Sequence, residues 1–441
     1  MPAGRISLAA CLICLLPLAC CSIAELPSDP EKVRNPKFKI ELLSGGSGSS
    51  GELGANAAMK TEKFKAISAY VDLEIETDPT SSDEAVRKAK DLRRDPSVLA
   101  VIGHSRSGTT RAALPYYAEA AIPVLMPAAT SPYALYAFNE SEARPDVKRL
   151  RRDPYVRFPN AFRMLPSDVP HQVDAIRAAA KKILGIDKFA ESKQLDTIKG
   201  ATRIMVICET TRRDGSDVYT KPMCDSLRED NDPWFSPLLF AYREIDLDTG
   251  DIWGVATEVF AVKPKLVILL GYPEFARNLL EELKERAPKH MRDYQFILPD
   301  ACFVPDLADF GSEIYVTSPF NPSESLGCKS DEAQKLRDAV MENKQKKPTD
   351  EIFAFDAVLI LAAVVKECEQ SLNRQCIAET LERNHASLAG ACQSYDIEAG
   401  ERQNASYSVY APCGKELAPF WVVQKGEVRC DANWKCSKNC K

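Results

Sequence analysis

Val101-Ile102-Gly103-His104-Ser105-Arg106-Ser107-Gly108-Thr109-Thr110 reads as an apolar strand running straight into a loop of small hydroxyl residues and then a helix. After the amphipathic stretch that follows, Val124-Leu125-Met126 repeats the theme and delivers Pro127-Ala128-Ala129-Thr130-Ser131-Pro132. Both loops place hydroxyl side chains at the carboxyl end of a strand, and the first also sits at a helix amino terminus. Free amide hydrogens and the positive end of the helix dipole there favour a bound anion such as a carboxylate. Ser, Thr and Gly also supply ordinary caps and turns, so the chemistry is only suggested at this point.

The same alternation extends in both directions. Strands are predicted at Phe38 to Leu43, Tyr70 to Ile75, Val98 to Gly103, Val124 to Met126, Arg203 to Cys208, Leu239 to Arg243, Leu266 to Gly271 and Tyr294 to Leu298. Between them fall helices such as Asp83 to Arg94, Glu274 to Arg286 and Asp168 to Leu184. In the last, Ser167 is the expected cap, Pro170 lies in the first turn, and Gly185 ends the run. Val169, Val173, Ile176, Ala180 and Ile183 form its apolar face. Strand-helix-strand repetition of this kind specifies parallel sheets covered by helices, which bind ligands in the loops after their strands.

Arg5 followed by the apolar run Ile6 to Ala19 has the anatomy of an export signal, too short to span a bilayer. Two processing readings stand side by side: cleavage after Ser22-Ile23-Ala24, and lipidation at Cys20 or Cys21 in an imperfect lipobox. A mature chain beginning at Glu25 is long enough for two domains. Lys plus Arg number 57 against 63 Asp plus Glu, for a net charge of −6, which argues against a nucleic-acid face; Lys148 to Arg152 is a short basic stretch in a loop spanning Arg144 to Arg157. Of 15 cysteines, removal of Cys11, Cys14, Cys20 and Cys21 with the leader leaves eleven, as expected of disulfides formed in an oxidising compartment. Cys430, Cys436 and Cys440 lack the histidines of a zinc site. The apolar run Ile352 to Val365 contains Asp356 and has the length of one core helix, so a buried helix is expected rather than a membrane span.

Gly46, Gly48 and Gly51 formally satisfy GxGxxG after the first strand, with Glu74 and Glu76 near the distance of a ribose-binding carboxylate. A flexible loop whose backbone approaches another ligand explains the glycines as well, and no nucleotide or other cofactor is expected. There is no nucleophile elbow, paired zinc histidine or phosphate loop. His104, His171, His290 and His385 are scattered, so neither an enzyme nor a metal site is indicated.

Taken in order, these segments resemble the leucine/isoleucine/valine-binding family of type I periplasmic solute-binding proteins. The resemblance runs from Phe38 to about Val423. It includes the two hydroxyl loops, Phe162-Arg163-x-x-Pro166-Ser167-Asp168, Leu270-Gly271-Tyr272-Pro273-Glu274, Glu313 to Phe320, Phe355-Asp356-Ala357-Val358, and Tyr395-Asp396-Ile397-Glu398-Ala399-Gly400-Glu401-Arg402.

The resemblance implies an α/β fold of two lobes, each a parallel sheet flanked by helices, joined by three crossings near Arg163 to Pro166, Val316 to Ser318 and Cys392 to Tyr395. The implied organisation is a signal peptide at 1–24, an N-lobe at 37–163 and 319–391, a C-lobe at 166–316 and 395–426, and a cysteine-rich tail at 427–441. It also implies capture of a small amino-acid-like ligand for an ABC permease, or a sensory module of the same fold. No nucleic acid is expected as a partner, and the membrane enters only through a lipid anchor. By motif, Ser107, Ala128 and Thr130 take the ligand carboxylate, Asp300 faces its ammonium, and Tyr272 covers it. Arg106 is a candidate for a second acidic group on the ligand, or a solvated side chain. Asp214 and Ser50 stand where amino-acid binders often carry Tyr, which leaves a branched-chain side chain without its walls. Disulfides are expected at Cys368–Cys376 and Cys302–Cys328.

Overall fold

The computed structural model describes residues 37–44, 51–135, 157–186, 203–211, 216–229, 234–311, 313–319, 330–342, 348–384, 388–392, 394–398, 401–402, 406–413, 416–424 and 427–430. The leader, Lys148 to Arg152, Ser50, Asp214, Cys328 and His385 lie outside these residues. Strands β1 (Phe38–Ser44), β2 (Val71–Thr77), β3 (Val98–Ile102), β4 (Val124–Met126) and β5 (Ala161–Arg163) form a parallel sheet in the order β2-β1-β3-β4-β5. A second sheet holds β6 (Ile204–Glu209), β7 (Leu239–Ile245), β8 (Leu266–Leu270), β9 (Gln295–Leu298), β10 (Ile314–Ser318), β11 (Tyr407–Cys413), β12 (Glu416–Gln424) and β13 (Glu427–Cys430), ordered β13-β12-β11-β10-β9-β8-β6-β7. Its β7-β6-β8-β9-β10 portion is parallel, and the three last strands add antiparallel.

The expected strands all occur, with ends displaced by no more than two residues. In β3 and β8 every residue is buried, because a central parallel strand is covered on both faces and so reads as an unbroken apolar run. Helices α1 (Glu52–Met59), α2 (Ser82–Arg94), α3 (Ser107–Glu119), α4 (Val173–Ile183), α5 (Ser216–Glu229), α6 (Ile252–Val262), α7 (Pro273–Arg286), α8 (Asp331–Glu342), α9 (Pro348–Glu367) and α10 (Arg374–Arg383) cover the sheets. The close approach of α1 to α9 needs Gly54, where a Cβ would stand 1.8 Å from the Glu351 carbonyl oxygen. Gly54 N also donates to the buried Glu351 carboxylate at 2.9 Å.

Helix α9 is the expected buried helix, and no helix among the described residues is long and apolar enough to cross a membrane. Its Asp356, fully buried, accepts from Ala391 N at 2.7 Å, Cys392 N at 3.2 Å and the Tyr395 hydroxyl at 2.7 Å. One carboxylate thus fixes the segment predicted as the third crossing. Arg402 ties this region to the first crossing by donating to the Met164 carbonyl at 3.1 Å.

Three expectations need correction. Ser167 makes no cap hydrogen bond: Val169 is extended at φ −115° and ψ 124°, and a wide turn, Asp168–Gln172, precedes the regular helix at Val173. Asp168 N donates to the Thr130 carbonyl at 2.9 Å, a tertiary bond that sets the path of the chain into this turn, and Pro170 has no N–H to give a cap. Gly185 does end the helix, at φ +68°. Cys368 and Cys376 are bridged as expected, with Cα atoms 6.0 Å apart. Cys302 is instead a buried thiol donating to the Gly271 carbonyl at 3.4 Å, and Cys208 pairs with Cys224. Finally, Glu427–Cys430 is an edge strand of the second sheet rather than part of a separate tail.

Candidate functional site

The loop between β3 and α3 is held from beneath. Asp78, buried after β2, accepts from Ser105 N at 2.7 Å and from the Ser105 hydroxyl, and lies 2.6 Å from Nδ1 of the fully buried His104. The other ring nitrogen of His104 is 3.2 Å from the Tyr117 hydroxyl. His104 is therefore a structural residue, and Asp78 is its clamp. Ser107, the first residue of α3, accepts from Ser131 N at 3.2 Å, which joins the first hydroxyl loop to the second. Arg163, fully buried at the end of β5, donates to the Thr130 carbonyl at 3.2 Å and to the Ser131 carbonyl. Both loops are thus set in place by groups that do not themselves face the cleft.

Leu42, Leu43, Ser44, Gly51, Ser105, Pro127, Ala128, Asp350 and Ala354 line a hollow at the carboxyl ends of β1, β3 and β4. The amino termini of α1 and α9 close it, a close fit that needs Gly51 at φ +35°, where a Cβ would stand 2.8 Å from the Ala354 Cβ. Of the glycine triplet, only Gly51 lies within the described residues. Glu74 and Glu76, the acids considered for a ribose, are ion-paired with Lys39 at 2.9 Å and with Lys88, beside the buried Glu41. A larger hollow, lined by Phe260, Lys263, Lys265, Arg286 and Tyr294 among others, lies at the opposite, amino ends of β8 and β9, away from these loops.

On the second sheet, Asp300 begins the turn after β9 and is buried. Its Oδ1 accepts from Gln172 Nε2 at 3.1 Å and from the Tyr219 hydroxyl, and neither bond engages Oδ2. Gln172 also donates to the Thr317 hydroxyl at 2.9 Å. Burial first, and then the Asp300 and Asp168 carboxylates, hold the Tyr219 phenol far above its usual range, so it remains a donor. The Tyr219 ring stacks on Tyr272 with centroids 5.2 Å apart, and Tyr272 N is anchored to buried Glu209 at 2.7 Å.

Contacts cross from the first sheet's loops to the loop after β8 and to the first turn of α5. The Arg106 guanidinium lies 4.8 Å from the centroid of the Tyr272 ring, and the Ser131 hydroxyl donates to the Val218 carbonyl at 2.6 Å. Ser107, Ala128, Thr130 and Arg106 therefore stand in the loops after β3 and β4, Asp300 and Tyr272 in the loops after β9 and β8, and Arg106 meets Tyr272 between the two sets. Asp214 lies outside the described residues. Sequence reasoning missed Asp78, Gln172, Tyr219 and Asp350, since nothing near them in the chain distinguishes them from ordinary helix and loop residues.

Two parallel-dominated sheets, covered by helices, with their carboxyl-end loops facing across a cleft, define the two-lobed type I periplasmic binding-protein fold. No family model and no curated protein sequence matches the chain. Solved structures do. A leucine-binding protein, LivK, from Thermotoga maritima superposes with a TM-score of 0.63 at 18% identity, over 88% of this chain and 99% of that one. The branched-chain amino acid transporter substrate-binding protein LivJ of Streptococcus pneumoniae, in complex with isoleucine, gives 0.62 at 16% identity over 88% and 99%. A solute-binding protein of an ABC transporter from R. palustris, in complex with benzoate, gives 0.61 at 13% identity over 90% and 98%. The chain has the fold of the leucine/isoleucine/valine-binding proteins.

Proposed function

We propose that this protein is an extracytoplasmic solute-binding protein that closes its two lobes on a small zwitterion, an amino acid or related compound, for ABC-type import. The reading rests on unlike groups in the strand-end loops of the two sheets, which meet where Arg106 lies over the Tyr272 ring. On one side the amino terminus of α3 presents Ser107 beside Thr130, a cradle for a carboxylate. On the other, Asp300 is oriented through Oδ1 by Gln172 and Tyr219, which leaves Oδ2 for an ammonium. The shared fold with LivK and LivJ supports the reading, as do the bridges Cys208–Cys224 and Cys368–Cys376, which suit an oxidising compartment. Nothing in this arrangement requires a catalytic group. Export by the leader, with or without a lipid anchor at Cys20 or Cys21, belongs to the same proposal.

A thermal-shift screen of amino acids and simple carboxylates identifies a ligand, and calorimetric titration then compares the wild type with Asp300→Asn. Loss of a desolvated charge pair is expected to cost about 2–5 kcal/mol of affinity. Small-angle scattering is expected to show a smaller radius of gyration with ligand than without. Equal affinities in the two proteins, or a best ligand without an ammonium group, would refute the assignment.

A further inference from the structure

Three carboxylates meet at the edge of the first sheet. Glu41 on β1 is in register with Glu74 on the edge strand β2, and Glu76 stands two residues further along the same face of β2. One carboxylate oxygen from each lies within 4.8 Å of those of the other two. Glu74 and Glu76 are part-exposed, and each has a lysine: Lys39 at 2.9 Å for the first, Lys88 on α2 for the second. Lys39 also lies 4.0 Å from Asp95. Glu41 differs from both. It is only 2% exposed, and its Oε2 is enclosed without a hydrogen-bond partner. Glu74 lies beside it, but two ionised carboxylates have no proton to offer one another.

A buried carboxylate without a donor is costly to hold, and both ammonium groups are already engaged by the outer pair. Three carboxylates and no nitrogen or sulfur donor suit a hard cation. Calcium binds oxygens at about 2.3–2.6 Å, so ligands on opposite sides of one ion stand about 4.6–5.2 Å apart, a reach that covers the whole spread of these oxygens. Magnesium, at about 2.0–2.1 Å and reluctant to shed water, covers less of it. We infer that Glu41, Glu74 and Glu76 form a calcium site at the edge of the first sheet, with Lys39 and Lys88 as displaceable counter-ions in the metal-free protein. None of the three acids belongs to the loops of the proposed ligand site, so this inference stands apart from that reading. A bound ion joins β2 to β1 beyond their backbone ladder, and its presence therefore registers as stability.

The test is thermal unfolding of the chelator-treated protein at pH 8 in about 10 mM CaCl2, against about 30 mM NaCl as the match in ionic strength. With a Kd of about 10⁻⁴–10⁻³ M, calcium is expected to raise the wild-type midpoint by at least about 2 °C. Glu41→Gln and Glu76→Gln are expected to lose that rise. Without calcium, Glu41→Gln is expected to be the more stable protein at this pH, so its lost response is distinct from a failure to fold. A wild type that responds no more to CaCl2 than to NaCl overturns the inference, and so does a rise that Glu41→Gln retains. An equal rise with MgCl2 overturns the assignment to calcium.

Discussion

Replacing Asp356 separates hydrogen bonding from charge at the third crossing. Its carboxylate accepts from two backbone amides of 391–392 and from the Tyr395 hydroxyl, all inside the core. In Asp356→Ala those three donors lose their acceptor, and each buried donor left unsatisfied costs about 1–3 kcal/mol. Relief of the burden of burying the carboxylate offsets part of that sum, so a net loss of about 3–5 kcal/mol is expected. Asp356→Asn keeps one oxygen for the two amides, and the Tyr395 hydroxyl can turn to accept from the new amide nitrogen. Its expected cost is about 1–2 kcal/mol, comparable to exchanging a charge-assisted bond for a neutral one. Urea denaturation followed by circular dichroism measures both, with ligand binding as a check that the lobes persist. If Asp356→Ala stays within about 1 kcal/mol of the wild type, the carboxylate does not hold the crossing. If Asn is as damaging as Ala, charge rather than hydrogen-bond count is what matters there.

Burial, reinforced by Glu76 and Glu74 and opposed by Lys88, raises Glu41 from 4.5 to about 7. The folded state favours its protonated form, so its stabilising contribution is complete below about pH 4.5 and is lost as pH rises through about 7. Glu41→Gln is expected to be more stable than the wild type above pH 7 by about 1–2 kcal/mol, the full shift being discounted for screening by water at the part-exposed Glu74 and Glu76, and equal to it near pH 4; the opposite trend in a pH series of denaturation midpoints would refute this. Gly54→Ala places a methyl against the Glu351 carbonyl and is expected to cost about 2–3 kcal/mol, read as a lowered denaturation midpoint. Peptide mapping without reduction is expected to link Cys368 to Cys376, while Cys302 reacts with a thiol reagent only after unfolding; a linked Cys302 would contradict its placement.

What the sequence reveals here is what local periodicity encodes. The apolar runs of β3 and β8, the helix over α9, and the hydroxyl loops at Ser107 and Thr130 are legible because burial on both faces, or a strand end, leaves a contiguous trace. The Asp78–His104 clamp joins residues from different loops, and Tyr219 reaches Asp300 from another helix. Neither has a local signature. Ser167 shows the converse: its sequence suits a cap, yet a bond from Asp168 to Thr130 takes the chain along another path. The placement of Cys302 and Cys328 around a predicted crossing suggests a bridge, but the packing of Cys302 against the Gly271 carbonyl is a tertiary fact.

Two contacts that cross the cleft, Arg106 over Tyr272 and Ser131 to Val218, are each modest, and their origin matters more than their size. A partly exposed cation over a ring contributes about 0.5–1 kcal/mol, and one neutral hydrogen bond about 1 kcal/mol. Together these bias a two-state opening by roughly tenfold to thirtyfold, far from the 10⁴-fold discrimination that moves an equilibrium from nearly all open to nearly all closed. Under the proposed function, ligand supplies a further part of that discrimination. Arg106 and Ser131 belong to the same two loops as Ser107 and Thr130, and those loops are pinned by Asp78 and Arg163. Docking a carboxylate on that wall therefore meets groups already in position, so little ordering cost is charged against binding. The same rigidity delivers Arg106 and Ser131 to their partners on the other lobe. Capture and closure then share one rigid element, and the affinity for ligand includes the work of shutting the cleft.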